Sequence, residues 1–168
     1  MTLRQLLIGL AWGLLFSSSV GAQTRLAIAD FELSDVSALP NQPQELVRTA
    51  TIRPLLLQSL VAQGGDYQLV PIDATTQAAS NAELGYLFHF NEAAVTLGKQ
   101  VGADWILVSQ HSKPSFLFSY LLAHLIEVKT GRLIGNFDIE LKGNHEKVIQ
   151  HGVARLAKLI NASIPKTN

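Results

Sequence analysis

Segments with a two-residue hydrophobic period alternate along the chain with segments of helical period. Alternating or continuous apolar residues predict five strands, at 24–33, 66–71, 104–112, 116–128 and 133–142. Apolar residues at helical spacing predict three helices, at about 44–63, at 91–101 and after Asn144. The predicted order of elements is therefore β-α-β-α-β-β-β-α.

The first predicted helix contains a possible break. Its mostly apolar stripe consists of Leu46, Ala50, Arg53, Leu57, Leu60 and Val61. Pro54 lies inside the helix and is expected to kink or split it, because proline has no backbone N–H to donate. Residues 73–90 have no clear period, and we interpret them as a loop or a short helix. Asn91 is expected to be the N-cap of the second helix.

The last strands indicate the kind of sheet. The strand at 116–128 is apolar on both faces, which is typical of a central strand covered on each side. A turn at 129–132, with Gly131 available for positive φ, joins it to a cleanly alternating strand. Strand–helix–strand units followed by this hairpin predict an α/β (α+β) fold, in which about three helices pack on a mixed five-stranded sheet.

The first 22 residues have the parts of a secretory signal peptide. Arg4 supplies the positive charge, residues 6–16 are an apolar run, and small residues precede an expected cut after Ala22. The apolar run is much shorter than the ~20 residues that span a bilayer. We therefore expect cleavage and a single mature domain at 23–168, with a retained anchor as the alternative.

Charge and cysteine content exclude several classes of protein. The whole chain has 13 basic and 13 acidic residues, and removing Arg4 with the signal peptide leaves 12 and 13. This balance provides no basic surface for nucleic acid. The chain has no cysteine, so it has neither a disulfide nor the residue that carries the lipid of a bacterial lipoprotein. The expected location is periplasmic, soluble and not lipid-anchored, without an integral membrane segment after cleavage.

Motifs of catalysis, cofactor binding and metal binding are missing from the sequence. It contains neither a G-x-S-x-G nucleophile elbow nor a phosphate-binding P-loop. The five histidines lack the spacing of metal ligands; they are His89, His111, His124, His145 and His151. We expect no catalytic residue, no cofactor and no metal.

Two pairs of polar residues stand at predicted strand ends. Asp30 and Glu32 are two residues apart and so are expected on one face of the first strand, near its carboxyl end, where open sheets bind ligands. A strand end that enters solvent is the more common interpretation. His111 and Lys113 precede Pro114; they are interpreted as a solvated strand exit or as the polar rim of a partner groove flanked by Phe116 and Phe118.

A third candidate lies at the start of the last helix. Asn144, beside Lys142, His145 and Lys147, has the surroundings of an anion-binding helix terminus. An ordinary N-cap is the more common interpretation. Asp138 is a further candidate, because it lies in one of the segments that resemble a known family.

Five short stretches are the basis of that resemblance: 29–37, 97–104, 113–115, 127–132 and 138–144. They resemble an uncharacterised bacterial family of exported domains with the patterns D-F-E-L-x-D-T-S, L-G-A-D, K-V-S, D-x-x-T-G-R and D-I-R-G-N. The chain departs from these patterns at Glu127, where the family has aspartate. More remotely, the element order is similar to the TolB amino-terminal domain, to lipoproteins that activate cell-wall synthases, and to the soluble part of the curli secretion channel.

The resemblance implies a stand-alone domain that binds proteins and catalyses nothing. We therefore expect a periplasmic accessory or adaptor domain whose partner is a periplasmic or envelope protein. The alternative from another class is a periplasmic protein that binds a small molecule or an anion, with or without hydrolytic activity. Its site would combine Asp30, Glu32 and residues 111–113.

Overall fold

The computed structural model describes residues 23–143 and 146–165 of the chain. In chain order the elements are β1 (Thr24–Ile28), β2 (Glu32–Asp35), α1 (Pro43–Ala50), α2 (Ile52–Ala62), β3 (Tyr67–Val70), α3 (Ala74–Ser80), α4 (Tyr86–His89), α5 (Asn91–Gln100), β4 (Trp105–Lys113), β5 (Phe118–Glu127), β6 (Leu133–Lys142) and α6 (Glu146–Ser163). The predicted α/β fold with a mixed sheet is confirmed. The sheet and its helices contain more pieces than the pattern predicted, because two expected elements are divided and residues 73–90 hold two short helices.

The strands form one sheet in the order β3-β1-β4-β5-β6, and β2 pairs with β4 beyond the end of β1. β1 is parallel to both β3 and β4, and β2 is parallel to β4. β4, β5 and β6 are antiparallel neighbours. One half of the sheet is therefore built from crossover units and the other half from hairpins, as the order of elements predicted.

Helices cover both faces of the sheet. On the first face, apolar residues of α2 and α6 pack on β1, β4, β5 and β6; they include Ile52, Leu56, Leu60, Val153, Leu156 and Ile160. On the second face, Leu87 of α4 and Leu97 of α5 pack on Ile106 and Val108. None of the helices in the described residues is long and apolar enough to cross a membrane.

The first predicted strand is divided by one extra residue. Ile28 pairs with Leu107 and Glu32 with Gln110, so four steps of this strand lie beside three steps of β4. Because strand side chains alternate between faces, an extra residue reverses which side chains point to which face. The expectation that Asp30 and Glu32 share one face of a continuous strand is therefore wrong.

The first predicted helix is divided at Thr51, and not at the proline. Pro54 lies in the first turn of α2, where a missing N–H leaves no hydrogen bond unmade. The predicted stripe is confirmed at Leu60 but is displaced by one residue over the rest of its length. Leu46, Ala50 and Val61 are exposed, and the buried residues are Glu45, Thr49, Ile52, Leu56 and Leu60.

Two smaller expectations are settled in the same region. Phe90, and not Asn91, occupies the N-cap position of α5, so Asn91 is the first residue of that helix. In the β5–β6 turn Gly131 has φ of 71°, which confirms its predicted positive-φ role.

Candidate functional site

Buried polar side chains lie between α1 and the carboxyl-terminal half of β4. His111 and Lys113 are two residues apart on β4 and so point to the same face of the sheet. Glu45 and Thr49, one turn apart on α1, point down toward them. Ser119 of β5 completes the group, and each of the five residues is at most 9% exposed. We call these five residues the polar layer.

This placement corrects the interpretation of His111 and Lys113 as a solvated strand exit. The strand continues through Lys113, because β2 pairs with it on one side, from Glu32↔Gln110 to Asp35↔Lys113. On the other side β5 pairs as far as Ser112↔Tyr120. The polar run in the sequence is thus a buried part of the sheet covered by α1.

An ion pair is the strongest contact of the polar layer. The Lys113 Nζ lies 2.7 Å from the Glu45 Oε1, and both side chains are more than nine-tenths buried. The Arg48 Nη1 lies 3.2 Å from the other carboxylate oxygen. Removing charges from water is costly, and a close pair of this kind recovers much of that cost only while both partners are present. The pair therefore fixes the position of α1 on the sheet.

His111 is held at both ring nitrogens. Its Nδ1 is 2.8 Å from the Thr49 hydroxyl, which donates to the Glu45 carbonyl at 2.8 Å. The Thr49 oxygen therefore accepts from Nδ1–H, and Nε2 accepts the proton of the Ser119 hydroxyl at 3.0 Å. Burial lowers the pKa of His111 to about 4, with the cations of Arg48 and Lys113 adding to the effect against Glu45. The imidazole is neutral at pH 7.

The Ser119–His111 pair has the hydrogen-bond pattern of a nucleophile and its base. In catalytic triads a carboxylate orients the ring and stabilises the imidazolium, whereas here the hydroxyl of Thr49 contacts Nδ1. The lowered pKa makes His111 a weak base, and Ser119 is buried within a strand. These contacts are those of a structural hydrogen-bond network.

The outer surface of α1 is apolar. Because Glu45 and Thr49 point inward, Leu46 and Val47 point outward, and Val47 is 67% exposed. Beside them is a groove of about 720 Å³ between α1, α2 and the start of α6. We call it the groove; its lining residues are Val47, Arg48, Ala50, Thr51, Pro54, Leu55, Glu146 and Ile149.

A second exposed apolar segment consists of the end of the β4–β5 loop and the first residue of β5. Phe116, Leu117 and Phe118 are all exposed, Leu117 by 74%. We call residues 116–118 the tip. The Lys113 ammonium lies 5.6 Å from the centre of the Phe116 ring, which connects the tip to the polar layer beneath it. Val36 and Leu39, in the loop after β2, are also exposed.

The tip and the groove belong to the same end of the molecule. The Gly143 N–H donates to the Leu117 carbonyl at 2.9 Å, and α6 begins at Glu146, which lines the groove. The Val36 N–H donates to the Lys113 carbonyl at 3.1 Å, so the loop after β2 lies there too. The apolar end therefore comprises the tip, the groove, Val36, Leu39 and Leu46.

Asp30 and Glu32 have separate structural partners. The Asp30 carboxylate accepts from Arg53 of α2 at 3.1 Å, and its backbone is hydrogen-bonded on both sides by the Gln77 side chain. The Glu32 carboxylate accepts from Asn81 and from the backbone N–H of Gly85. Asp30 thus contacts a helix of the first face, whereas Glu32 anchors the segment between α3 and α4 to the edge of β2.

Of the six predicted site residues, the structure brings only His111 and Lys113 together. Asp138 is exposed on β6, opposite Leu122 of β5. Asn144 lies outside the described residues. The combined site of Asp30, Glu32 and residues 111–113 does not form, because its members point to different neighbours. No cluster of three metal-ligating side chains is found in the described ranges.

The apolar outer surface of α1 was missed by the sequence analysis. A signal was present, because Glu45, Thr49, Ile52, Leu56 and Leu60 form one helical stripe at spacings of four and three residues. Its first two members are polar, so the neighbouring stripe is the more apolar of the two and is the one that the pattern predicts to be buried.

Several solved bacterial proteins have similar folds. Lipoprotein GNA1162 from Neisseria meningitidis has a TM-score of 0.50 and 12% identity, over 84% of this chain and 99% of that one. A point variant of PelC from Paraburkholderia phytofirmans, described as a dodecamer, has a TM-score of 0.50 and 12% identity over 83% and 89%. The LpoB C-terminal domain from Escherichia coli has a TM-score of 0.45 and 21% identity over 76% and 89%.

Sequence comparison gives the family. None of the curated proteins matches the chain. Residues 24–160, nearly all of the described part, match the family DUF3280, whose description is "Protein of unknown function (DUF2380)". The expectation that the chain belongs to a family of unknown function is confirmed. That the family shares the individual motifs given above remains a prediction. The chain belongs to the DUF3280 family.

Proposed function

We propose that the chain is a non-catalytic accessory domain of the bacterial envelope that binds a protein through its apolar end. One observation carries the proposal: α1 turns its polar side toward the sheet and its apolar side toward solvent. A surface helix ordinarily buries its apolar stripe. Here the buried side holds Glu45 and Thr49, and the exposed side holds Leu46 and Val47.

The polar layer is what makes this orientation stable. The Glu45–Lys113 pair and the contacts of His111 give α1 specific bonds to the sheet. Without these bonds, burial of the apolar Leu46 and Val47 would be the favoured orientation of α1, and the exposed surface would be lost. A contiguous apolar patch on the surface of a soluble domain marks an interaction site, because a patch that no partner covers promotes aggregation.

The absence of catalysis is part of the proposal. The one serine–histidine contact in the described residues, that of Ser119 and His111, is covered by α1 and has a weakly basic imidazole. The carboxylates of Asp30 and Glu32 are engaged by Arg53, Asn81 and Gly85. These groups therefore support a structural role better than a reaction.

We place the mature domain in the periplasm, free of a lipid anchor. The support comes from the sequence: residues 1–22 have the pattern of a signal peptide, and the chain has no cysteine to carry lipid. Among proteins of similar fold, GNA1162 is described as a lipoprotein and PelC as a dodecamer.

Photo-crosslinking in intact cells tests the proposal. The crosslinking residue p-benzoylphenylalanine is placed at Val47, in the groove, or at Val61 on α2 as the matched control. The two positions are equally apolar and almost equally exposed, at 67% and 69%. We expect a protein adduct from position 47 and none from position 61. Equal adducts at both positions, or none at position 47, would contradict the proposed role of the apolar end.

A further inference from the structure

We propose that the apolar end binds a second copy of this chain, with the tip of each copy in the groove of the other. This inference rests on the proposed function, because it names the protein that occupies the same surface. The tip is a projecting apolar loop and the groove is an apolar depression. One molecule therefore carries both halves of a complementary contact.

The positions of the two halves suit a two-fold contact. The tip is hydrogen-bonded to Gly143, and the groove begins at Glu146. Both halves are thus exposed and adjoin the short stretch of chain from Gly143 to Glu146. A contact related by a two-fold axis requires such a self-complementary surface, in which each copy gives and receives the same side chains. Halves on opposite ends would instead produce an open chain of molecules.

The area available also favours a contact made twice. Phe116, Leu117 and Phe118 are 52%, 74% and 38% exposed, so one tip has about 300 Å² to bury if a large apolar side chain presents roughly 200 Å². With the groove wall that it covers, one tip buries about 600 Å² in total, which is the size of a crystal contact. Two tips and two grooves bury about 1,200 Å², the lower limit for a specific interface.

The charges around the apolar end fit a copy of the same chain better than a membrane. The groove has Arg48 and Glu146 on its wall, and the tip is flanked on β6 by Glu140 and Lys142. Each half thus carries balanced charge, with Arg48 paired to Glu45 and Lys142 paired to Glu140, so neither half repels its copy. The mature chain has 12 basic and 13 acidic residues, so two copies repel each other only weakly. An anionic membrane surface would instead favour a basic border.

Sedimentation velocity on the mature chain, residues 23–168, tests the inference. We expect the mass to rise from one to two chains between about 1 and 100 µM, the range of a weak, transient contact. Leu117→Glu in the tip and Val47→Glu in the groove are each expected to give monomers. The matched controls, Leu84→Glu and Val61→Glu, change apolar residues of similar exposure elsewhere and should leave the dimer intact.

Mixing the two monomeric variants provides the sharper result. The Leu117→Glu chain keeps its groove and the Val47→Glu chain keeps its tip, so an equimolar mixture forms one of the two contacts. We expect weak heterodimers in the mixture and none in either variant alone. A wild-type chain that stays monomeric at ~100 µM, or dimers that survive both substitutions, would overturn the inference. Circular dichroism of each variant shows whether it is folded.

The crosslink at position 47 separates failure of this inference from failure of the proposed function. An adduct of twice the mass of the chain supports the second copy. An adduct with a different protein alone overturns the second copy but agrees with a protein-binding accessory domain. Absence of any adduct at this position contradicts both.

Discussion

Helices α1 and α2 follow each other in the chain and cover the same face of the sheet by opposite means. α2 inserts Ile52, Leu56 and Leu60, each with no exposed surface, into the apolar core. α1 inserts Glu45 and Thr49 into the polar layer. The five residues form one stripe that changes from polar to apolar at Thr51, where the helix is interrupted.

The difference shows what each helix contributes. Burial of large apolar side chains stabilises α2 by about 1.5–3 kcal/mol per side chain, without fixing a particular neighbour. The ion pair and hydrogen bonds of α1 yield less net stability but demand one geometry. α2 therefore supports the fold, and α1 is a positioned helix that presents its apolar side outward.

The largest effect is expected from removing one charge of the buried pair. Glu45→Leu leaves the Lys113 ammonium buried without its carboxylate, and we expect a loss of about 3–5 kcal/mol in the free energy of unfolding. Urea unfolding at pH 7 measures it. The double variant Glu45→Leu/Lys113→Met removes both charges and should recover most of the loss.

An exposed ion pair is the matched control for that experiment. Arg25 and Asp104 lie 3.3 Å apart with side chains about half exposed. Arg25→Ala should cost no more than about 1 kcal/mol, because water screens such pairs. Equal losses for Glu45→Leu and Arg25→Ala would show that the polar layer does not hold α1.

The next effect is a dependence of stability on pH between about 4 and 6.5. His111 has a pKa of about 4 in the folded chain and 6.5 when unfolded. As the pH falls through 6.5, His111 binds a proton in the unfolded state but not in the folded state. The contribution of His111 to the free energy of unfolding is therefore complete above pH 6.5 and decreases toward pH 4. The difference of 2.5 pKa units corresponds to a loss on the order of 3 kcal/mol.

The His111→Gln variant isolates this contribution. It has no group that titrates in this range, so its free energy of unfolding should fall less between pH 7.5 and pH 4.5 than that of the wild type. Denaturant unfolding at both pH values gives the comparison. If both proteins lose the same free energy of unfolding between these two pH values, His111 binds a proton in the folded state as readily as in the unfolded state.

A smaller effect is expected from the hydroxyl that bonds to His111. Ser119→Ala removes the donor to Nε2 and leaves a buried acceptor unpaired, at a cost of about 1–2 kcal/mol. Ser109→Ala is the control, because the Ser109 hydroxyl is buried on the same strand face as His111 without a hydrogen-bond partner in the described residues. Its removal should be neutral or slightly stabilising. If both variants lose equal stability, the Ser119–His111 bond contributes nothing specific.

The fold could be predicted from the sequence where the hydrophobic period was uninterrupted. The alternation of β6 and the apolar stripe of α6, from Ile149 to Ile160, identified both elements and their buried sides. The prediction of the first strand failed because an extra residue in a strand does not change the hydrophobic period on either side of it. Pairing with β4 reveals it, and pairing depends on residues more than 70 positions away.

The candidate site failed for a different physical reason. The sequence favours a solvated position for His111 and Lys113, because polar residues are seldom buried without partners. Their partners are on α1 and β5, so burial follows from tertiary contacts that no local pattern contains. The structure places His111 and Lys113 on one face of β4, where both contact α1.

The smallest effect on stability is expected at the outer surface of α1. Val47→Ala removes methyl groups that contact solvent in the single chain, so the free energy of unfolding should change by less than about 0.5 kcal/mol at low protein concentration. Leu56→Ala, in the buried stripe of α2, should lower the free energy of unfolding by about 2–5 kcal/mol, because it leaves a cavity in the core. The two variants make the comparison of α1 and α2 quantitative. A loss above about 1 kcal/mol for Val47→Ala would place this side chain in the packed interior and would remove the physical basis for an outward-facing apolar helix.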